Sequence, residues 1–129
     1  MPLVRIDVRR GRTPEELKIL CDAVHRAVVQ SFLVPVRDRY QIVHEHDAHT
    51  LVVEDTGLNI PRTDAVVVIS IVSRPRGVRS KLHFYRTVCD ELRSASGVES
   101  SDVLVNISTN DDDDWSFGLG SAQFVEGAL

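Results

Sequence analysis

The order strand, helix, strand is written twice along this chain, and no other feature narrows its fold as much. Leu3 to Arg9 alternates with period two, placing Val4, Ile6 and Val8 on one side and Leu3, Arg5 and Asp7 on the other, which predicts a half-buried strand. Gly11 closes it. Thr13-Pro14-Glu15-Glu16 then supplies an N-cap, a proline preset for the first helical turn and a glutamate three positions past the cap. Leu17, Leu20, Cys21, Val24, Val28 and Phe32 recur at spacings of three and four, so the pattern predicts a helix over 14–32 that stops before Pro35. A strand over 39–43 completes the first set. The second set consists of a strand over 65–73, a helix over 78–95 marked by Leu82, Tyr85, Val88, Cys89 and Leu92 and ended by Gly97, and a strand over 102–108. Corresponding elements lie about 62–65 positions apart.

Two such βαβ units side by side predict an α/β (α+β) fold: a four-stranded sheet with two helices on one face. The 129 residues, 43% of them apolar, suffice for one domain with one core. Its parts are the units 2–63 and 64–109 and a tail over 110–129, where Gly118 and Gly120 precede Ala122 to Val125 in the pattern of a turn and short C-terminal hairpin. Ala65 to Ser73, nearly all β-branched and apolar, reads as a central strand covered on both faces. The polar excursion from Asp47 to Arg62 leaves room for a short strand at Leu51 to Val53.

Charge and hydropathy exclude several classes of function. With 15 basic and 19 acidic residues the net charge is −4, so no overall positive field attracts nucleic acid or an anionic membrane, and 5% aromatic content makes a poor base-stacking platform. The apolar runs 65–69 and 71–72 are far short of a membrane span, and the alternating first residues lack the pattern of a secretory signal, so the expected compartment is the cytoplasm. Cys21 and Cys89, both on predicted helices, form no metal or redox motif and read as ordinary thiols. His25 and His83 read as surface or boundary residues of the helices.

Some positions carry possible chemistry. Pro2 follows the initiator Met, which is commonly trimmed before proline; the chain would then begin with a secondary amine able to act as base, acid or iminium-forming nucleophile. Arg74-Pro75-Arg76 directly follows the central strand, and two guanidinium groups flanking a rigid proline suit a small carboxylate. Asp38, between Arg37 and Arg39, gains a role only if folding brings it near Pro2. His44, His46 and His49, with Glu45 and Asp47, match no metal-site spacing and read as polar edge residues, while Asp111 to Asp114 lacks the alternation and glycine of a calcium loop and reads as a solvated acidic turn.

Taken together, Pro2, Thr13-Pro14-Glu15-Glu16-Leu17, Asp38-Arg39-Tyr40-Gln41, Glu54-Asp55-Thr56-Gly57-Leu58, Ser73-Arg74-Pro75-Arg76 and Asp114-Trp115-Ser116-Phe117-Gly118 resemble the tautomerase superfamily, and within it the malonate semialdehyde decarboxylase family, over nearly the whole chain. The resemblance implies a tandem βαβ fold and a homotrimer in which the C-terminal segment of one subunit reaches a neighbour. It implies Pro2 as the catalytic amine, Asp38 as its acidic partner, Arg74 and Arg76 as the carboxylate-binding pair, and Trp115, Phe117 and Phe124 as the hydrophobic wall of the pocket. The activity implied is decarboxylation of malonate semialdehyde to acetaldehyde and carbon dioxide, with no metal or organic cofactor and with possible hydratase side activity. A tautomerase, hydratase or dehalogenase of a small unsaturated or halogenated acid would use the same groups, and a non-catalytic trimeric binding protein is the reading from a different class. Two arginines converging beside an amine argue against a mere scaffold.

Overall fold

The computed structural model describes residues 1–129. Its elements run β1 (Leu3–Arg9), α1 (Pro14–Phe32), β2 (Tyr40–His46), β3 (Val67–Ser73), α2 (Val78–Ser96) and β4 (Val103–Thr109), with single 3₁₀ turns at Ser100–Asp102 and Asp112–Asp114. The strands form one sheet in the order β2-β1-β3-β4. Parallel pairs β1/β2 and β3/β4 meet along an antiparallel β1/β3 seam. Leu3–Arg9 maps onto Val67–Ser73 and Pro14–Phe32 onto Val78–Ser96 by a uniform shift of 64 positions, and β2 maps onto β4 by 63.

Both helices bury their inner faces against one side of the sheet, where Val4, Ile6, Val8, Val67, Ile69 and Ile71 meet Leu20, Val24, Val28, Val88 and Leu92. Phe32 and Phe84 stack across the helix pair with ring centroids 5.2 Å apart. The predicted cap of α1 forms in full: Glu16 N–H donates to Thr13 Oγ1 at 3.2 Å and Thr13 N–H donates to Glu16 Oε1 at 3.0 Å. Leu33 (φ 53°) and Gly97 (φ 66°) end the helices in the left-handed region.

Four expectations need correction. The buried line of α2 runs through Phe84, Val88 and Leu92, leaving Leu82 and Tyr85, at 49% and 36% exposure, on a second apolar stripe that faces outward. β3 is covered on one face only: Val67, Ile69, Ile71 and Ser73 are buried, while Val68, Ser70 and Val72 on the open face are half-buried. Leu51 to Val53 forms no strand, because the Leu51 carbonyl accepts from the Arg9 guanidinium at 2.7 Å instead of joining a ladder. The tail contains no hairpin. Positive φ at Gly118, Leu119 and Gly120 curls the backbone, and the Gln123 side chain holds the curl, accepting from Phe117 N–H at 2.9 Å and donating to Gly118 O at 3.0 Å.

Candidate active site

Because β1 is antiparallel to β3, one end of the sheet gathers the starts of β1 and β2 and the finishes of β3 and β4. Leu3 pairs with both Tyr40 and Val72, and Ser73 pairs with Thr109. The segments carrying Pro2, Asp38, Arg74, Arg76 and the tail therefore emerge at one place.

Pro2 is buried at the head of β1. Asp38 is delivered by the loop after α1, which turns through Asp38 N–H donating to Pro35 O at 2.9 Å and is anchored by a 2.7 Å hydrogen bond between His25 Nε2 and Val36 O. His25 is thus a buried anchor, 7% exposed, and not the surface or boundary residue expected. Asp38 is 7% exposed, and neither of its buried carboxylate oxygens has a hydrogen-bond partner. Its nearest cation is the Met1 amino nitrogen, 3.9 Å from Oδ2. Burial pushes the Asp38 carboxyl above the usual range, opposed by the terminal amine, Arg76 and His25. The amine is held below its ordinary value, first by burial and then by Arg76, while Asp38 acts in the opposite sense; Arg74 lowers it further and Asp112 raises it.

The two arginines are held differently. Arg76 donates from Nε to Ser73 Oγ at 3.0 Å and from Nη1 to Phe32 O at 3.2 Å, and lies 5.2 Å from the Phe32 ring centroid. Burial and Arg74 both lower its pKa. Arg74 sits 4.3 Å over the Phe124 ring and presents its Nε edge to Asp112, with Nε–Oδ1 at 2.6 Å and Nη2–Oδ2 at 3.3 Å. This leaves the Nη1 end of the guanidinium directed elsewhere. Arg74, Pro75, Arg76, Asp111, Asp112, Asp113 and Val125 line a common cleft.

Beside the arginines is an aromatic cluster. Phe117 stacks on Trp115 at 5.4 Å and on Tyr40 at 5.8 Å, and meets Phe124 edge-on at 5.4 Å. Trp115 Nε1 donates to Asn110 Oδ1 at 2.8 Å. The expected wall residues are therefore together, packed with Tyr40 and Arg74. Sequence reasoning also missed Tyr40, Ser73 and Phe32, and it read Asp112 as solvated when it is the partner of Arg74. Tyr40 and Ser73 stand in the motifs Asp38-Arg39-Tyr40-Gln41 and Ser73-Arg74-Pro75-Arg76 that carry the family resemblance, but no role was assigned to either.

The remaining candidates lie elsewhere. On the open sheet face His46 Nε2 and His44 Nδ1 lie 2.6 and 3.4 Å from Asp7 Oδ1, an acid contributed by the neighbouring strand β1. Cys21 and Cys89 are free thiols, each with its pKa raised chiefly by burial.

Comparison with known proteins places this geometry in context. Two models described as tautomerase enzyme match residues 38–118 and 2–60. The probable tautomerase YrdN of Bacillus subtilis (strain 168) is 49% identical over 129 residues, covering 100% of both chains. A solved malonate semialdehyde decarboxylase is 43% identical with a TM-score of 0.97, covering 98% of each chain. A second malonate semialdehyde decarboxylase, inhibited by 3-bromopropiolate, is 39% identical with a TM-score of 0.94 over 98% of this chain and 97% of its own.

Proposed function

Since the chain belongs to the tautomerase superfamily, we propose that it is a cofactor-independent decarboxylase of a small 3-oxo acid, with malonate semialdehyde as the substrate. The observation that carries this reading is the meeting of the terminal amine, Asp38, Arg74 and Arg76 at one end of the sheet, beside the Phe117 cluster. Likeness to two malonate semialdehyde decarboxylases supports the choice of substrate.

In this reading Met1 is removed and the amine resides on Pro2. Arg74 and Arg76 hold the substrate carboxylate, and the aromatic cluster limits water around it. The bond from the carboxyl carbon to C2 breaks, its electron pair passes into C2 and the aldehyde carbonyl, and carbon dioxide leaves. Pro2 accommodates the resulting charge either by donating a hydrogen bond from its protonated nitrogen to the aldehyde oxygen or as an iminium formed with loss of water. Protonation at C2, and hydrolysis of the iminium where one forms, yields acetaldehyde. Asp38 favours the charged amine and orients water near it.

A base-type tautomerase of a small unsaturated acid is the second reading, favoured by the lowered pKa of the terminal amine and by likeness to YrdN. Intact-mass measurement, followed by a panel of 3-oxo, enol and acetylenic acids, separates the two. Loss of carbon dioxide from malonate semialdehyde by protein lacking Met1 is expected; ketonisation of enols without decarboxylation would establish the alternative.

The working form proposed is a homotrimer in the cytoplasm. The outward apolar stripe of α2 and the half-buried open face of the sheet support assembly. No helix is long and apolar enough to cross a membrane.

A further inference from the structure

The 64-position shift that superposes the secondary structure also superposes the chemistry. Arg10 and Arg12 follow β1 as Arg74 and Arg76 follow β3, and Asp102 precedes β4 as Asp38 precedes β2. These counterparts meet at the opposite end of the sheet, where β1 and β2 finish and β3 and β4 begin.

The likeness extends to contacts. Arg74 is paired with Asp112, just past edge strand β4; Arg10 Nε is paired with Asp47 Oδ1 at 2.9 Å, just past edge strand β2. Arg76 is bonded to the Phe32 carbonyl and Arg12 Nη2 donates to the Ala65 carbonyl at 3.1 Å, so each is tied to a backbone carbonyl, although the two carbonyls are not related by the shift. Burial lowers the pKa of Arg12 as it does that of Arg76. A cleft lined by Arg9, Arg10, Gly11, Arg12, Asp64 and Ala65 opens there, corresponding to the one beside Arg74 and Arg76. A Cβ built on Gly11 would meet nothing within 4 Å.

Two differences decide what this end can do. Val66 stands where the shift places Pro2, so its nitrogen is a peptide amide and supplies no amine. Asp102, 2% exposed, accepts from Thr63 N–H at 2.7 Å and from Thr63 Oγ1, whereas Asp38 has no such partner.

We propose that the cleft at Arg10 and Arg12 is a second, catalytically silent binding site for a short-chain carboxylate. The arginine pair supplies the same recognition as at the first end: charge, and planar donors matched to two oxygens. No bond is made or broken, because neither a free amine nor an unpartnered acid is present.

The test uses full-length protein labelled with ¹⁵N-glycine and titrated with propanoate. Gly11 reports on the second cleft and Gly77 on the first. Both amides are expected to shift and saturate. Arg10→Ala/Arg12→Ala should weaken the Gly11 response about tenfold or more while sparing the Gly77 response and turnover. Arg12→Lys, which keeps the charge and places less demand on folding, should weaken it severalfold. A Gly11 amide that does not respond in the wild type, or one that responds equally in both variants, overturns the proposal. A Gly77 amide that fails to respond while Gly11 does would sink the first arginine clamp and leave the second standing.

Discussion

The carboxylate of Asp38 faces the Met1 amino nitrogen across 3.9 Å with no hydrogen bond to either oxygen. An acid so placed serves the amine at the expense of the fold. Burial raises its pKa above the unfolded value, so its stabilising contribution is complete below the ordinary carboxylate range and is lost as pH rises through the raised value. Asp38→Asn should therefore melt higher than wild type at pH 7, by about 1 kcal/mol or roughly 4 °C, with the gap closing near pH 3. Its kcat/KM should fall about a hundredfold. A variant less stable than wild type at pH 7 contradicts this assignment.

The same pocket couples substrate binding to protonation of the amine. Arg76 and Arg74 help hold the amine pKa down, and a carboxylate seated on them cancels part of that field. The amine pKa read from the kcat profile should exceed that read from kcat/KM. Coincident profiles would mean that the carboxylate binds away from the arginines.

For the arginines themselves, Arg74→Ala and Arg76→Ala should each lower kcat/KM about ten- to a hundredfold, with lysine rescuing only in part because the planar fork is lost. Asp112→Asn keeps an acceptor for Arg74 but removes its charge, and should raise KM severalfold with a smaller effect on kcat. Wild-type kinetics in both alanine variants, with circular dichroism unchanged, would remove the pair from the reaction.

Phe117 touches Trp115, Tyr40 and Phe124 at once. Phe117→Ala should cost about 2 kcal/mol of stability and shift the fluorescence of Trp115, the single tryptophan, to longer wavelength. An unchanged spectrum would show that the stack does not persist in solution.

Light scattering should find three chains per particle. Leu82→Glu with Tyr85→Glu, on the outward stripe of α2, should reduce that mass if the stripe lies in the assembly. A wild-type monomer at micromolar concentration would exclude the trimer.

Both helices and four strands were legible because period and punctuation agreed: Thr13-Pro14 opens α1 and Gly97 closes α2 within a residue of where the patterns put them. The buried face of α2 was not legible, since two apolar stripes compete there and only packing against Phe32 selects the one containing Phe84. In the tail, alternation around Phe117 resembled a hairpin, but a tertiary hold through Gln123 and several positive-φ residues decided otherwise. The geometric meeting of Asp38, Arg74 and Arg76 with the amine was carried in the sequence only by resemblance. The single fact that brings them together, the antiparallel seam between β1 and β3, leaves no local mark in the residues.

That seam gives the chain two chemically related poles, yet only a polypeptide's first residue can offer a free α-amine. Joining the two halves covalently thus limits the proposed chemistry to one turnover site per chain, however alike the poles become. Severing the backbone between Ala65 and Val66 would place a new amino terminus where the shift puts Pro2, and a second working pole would still require Asp102 to be released from Thr63.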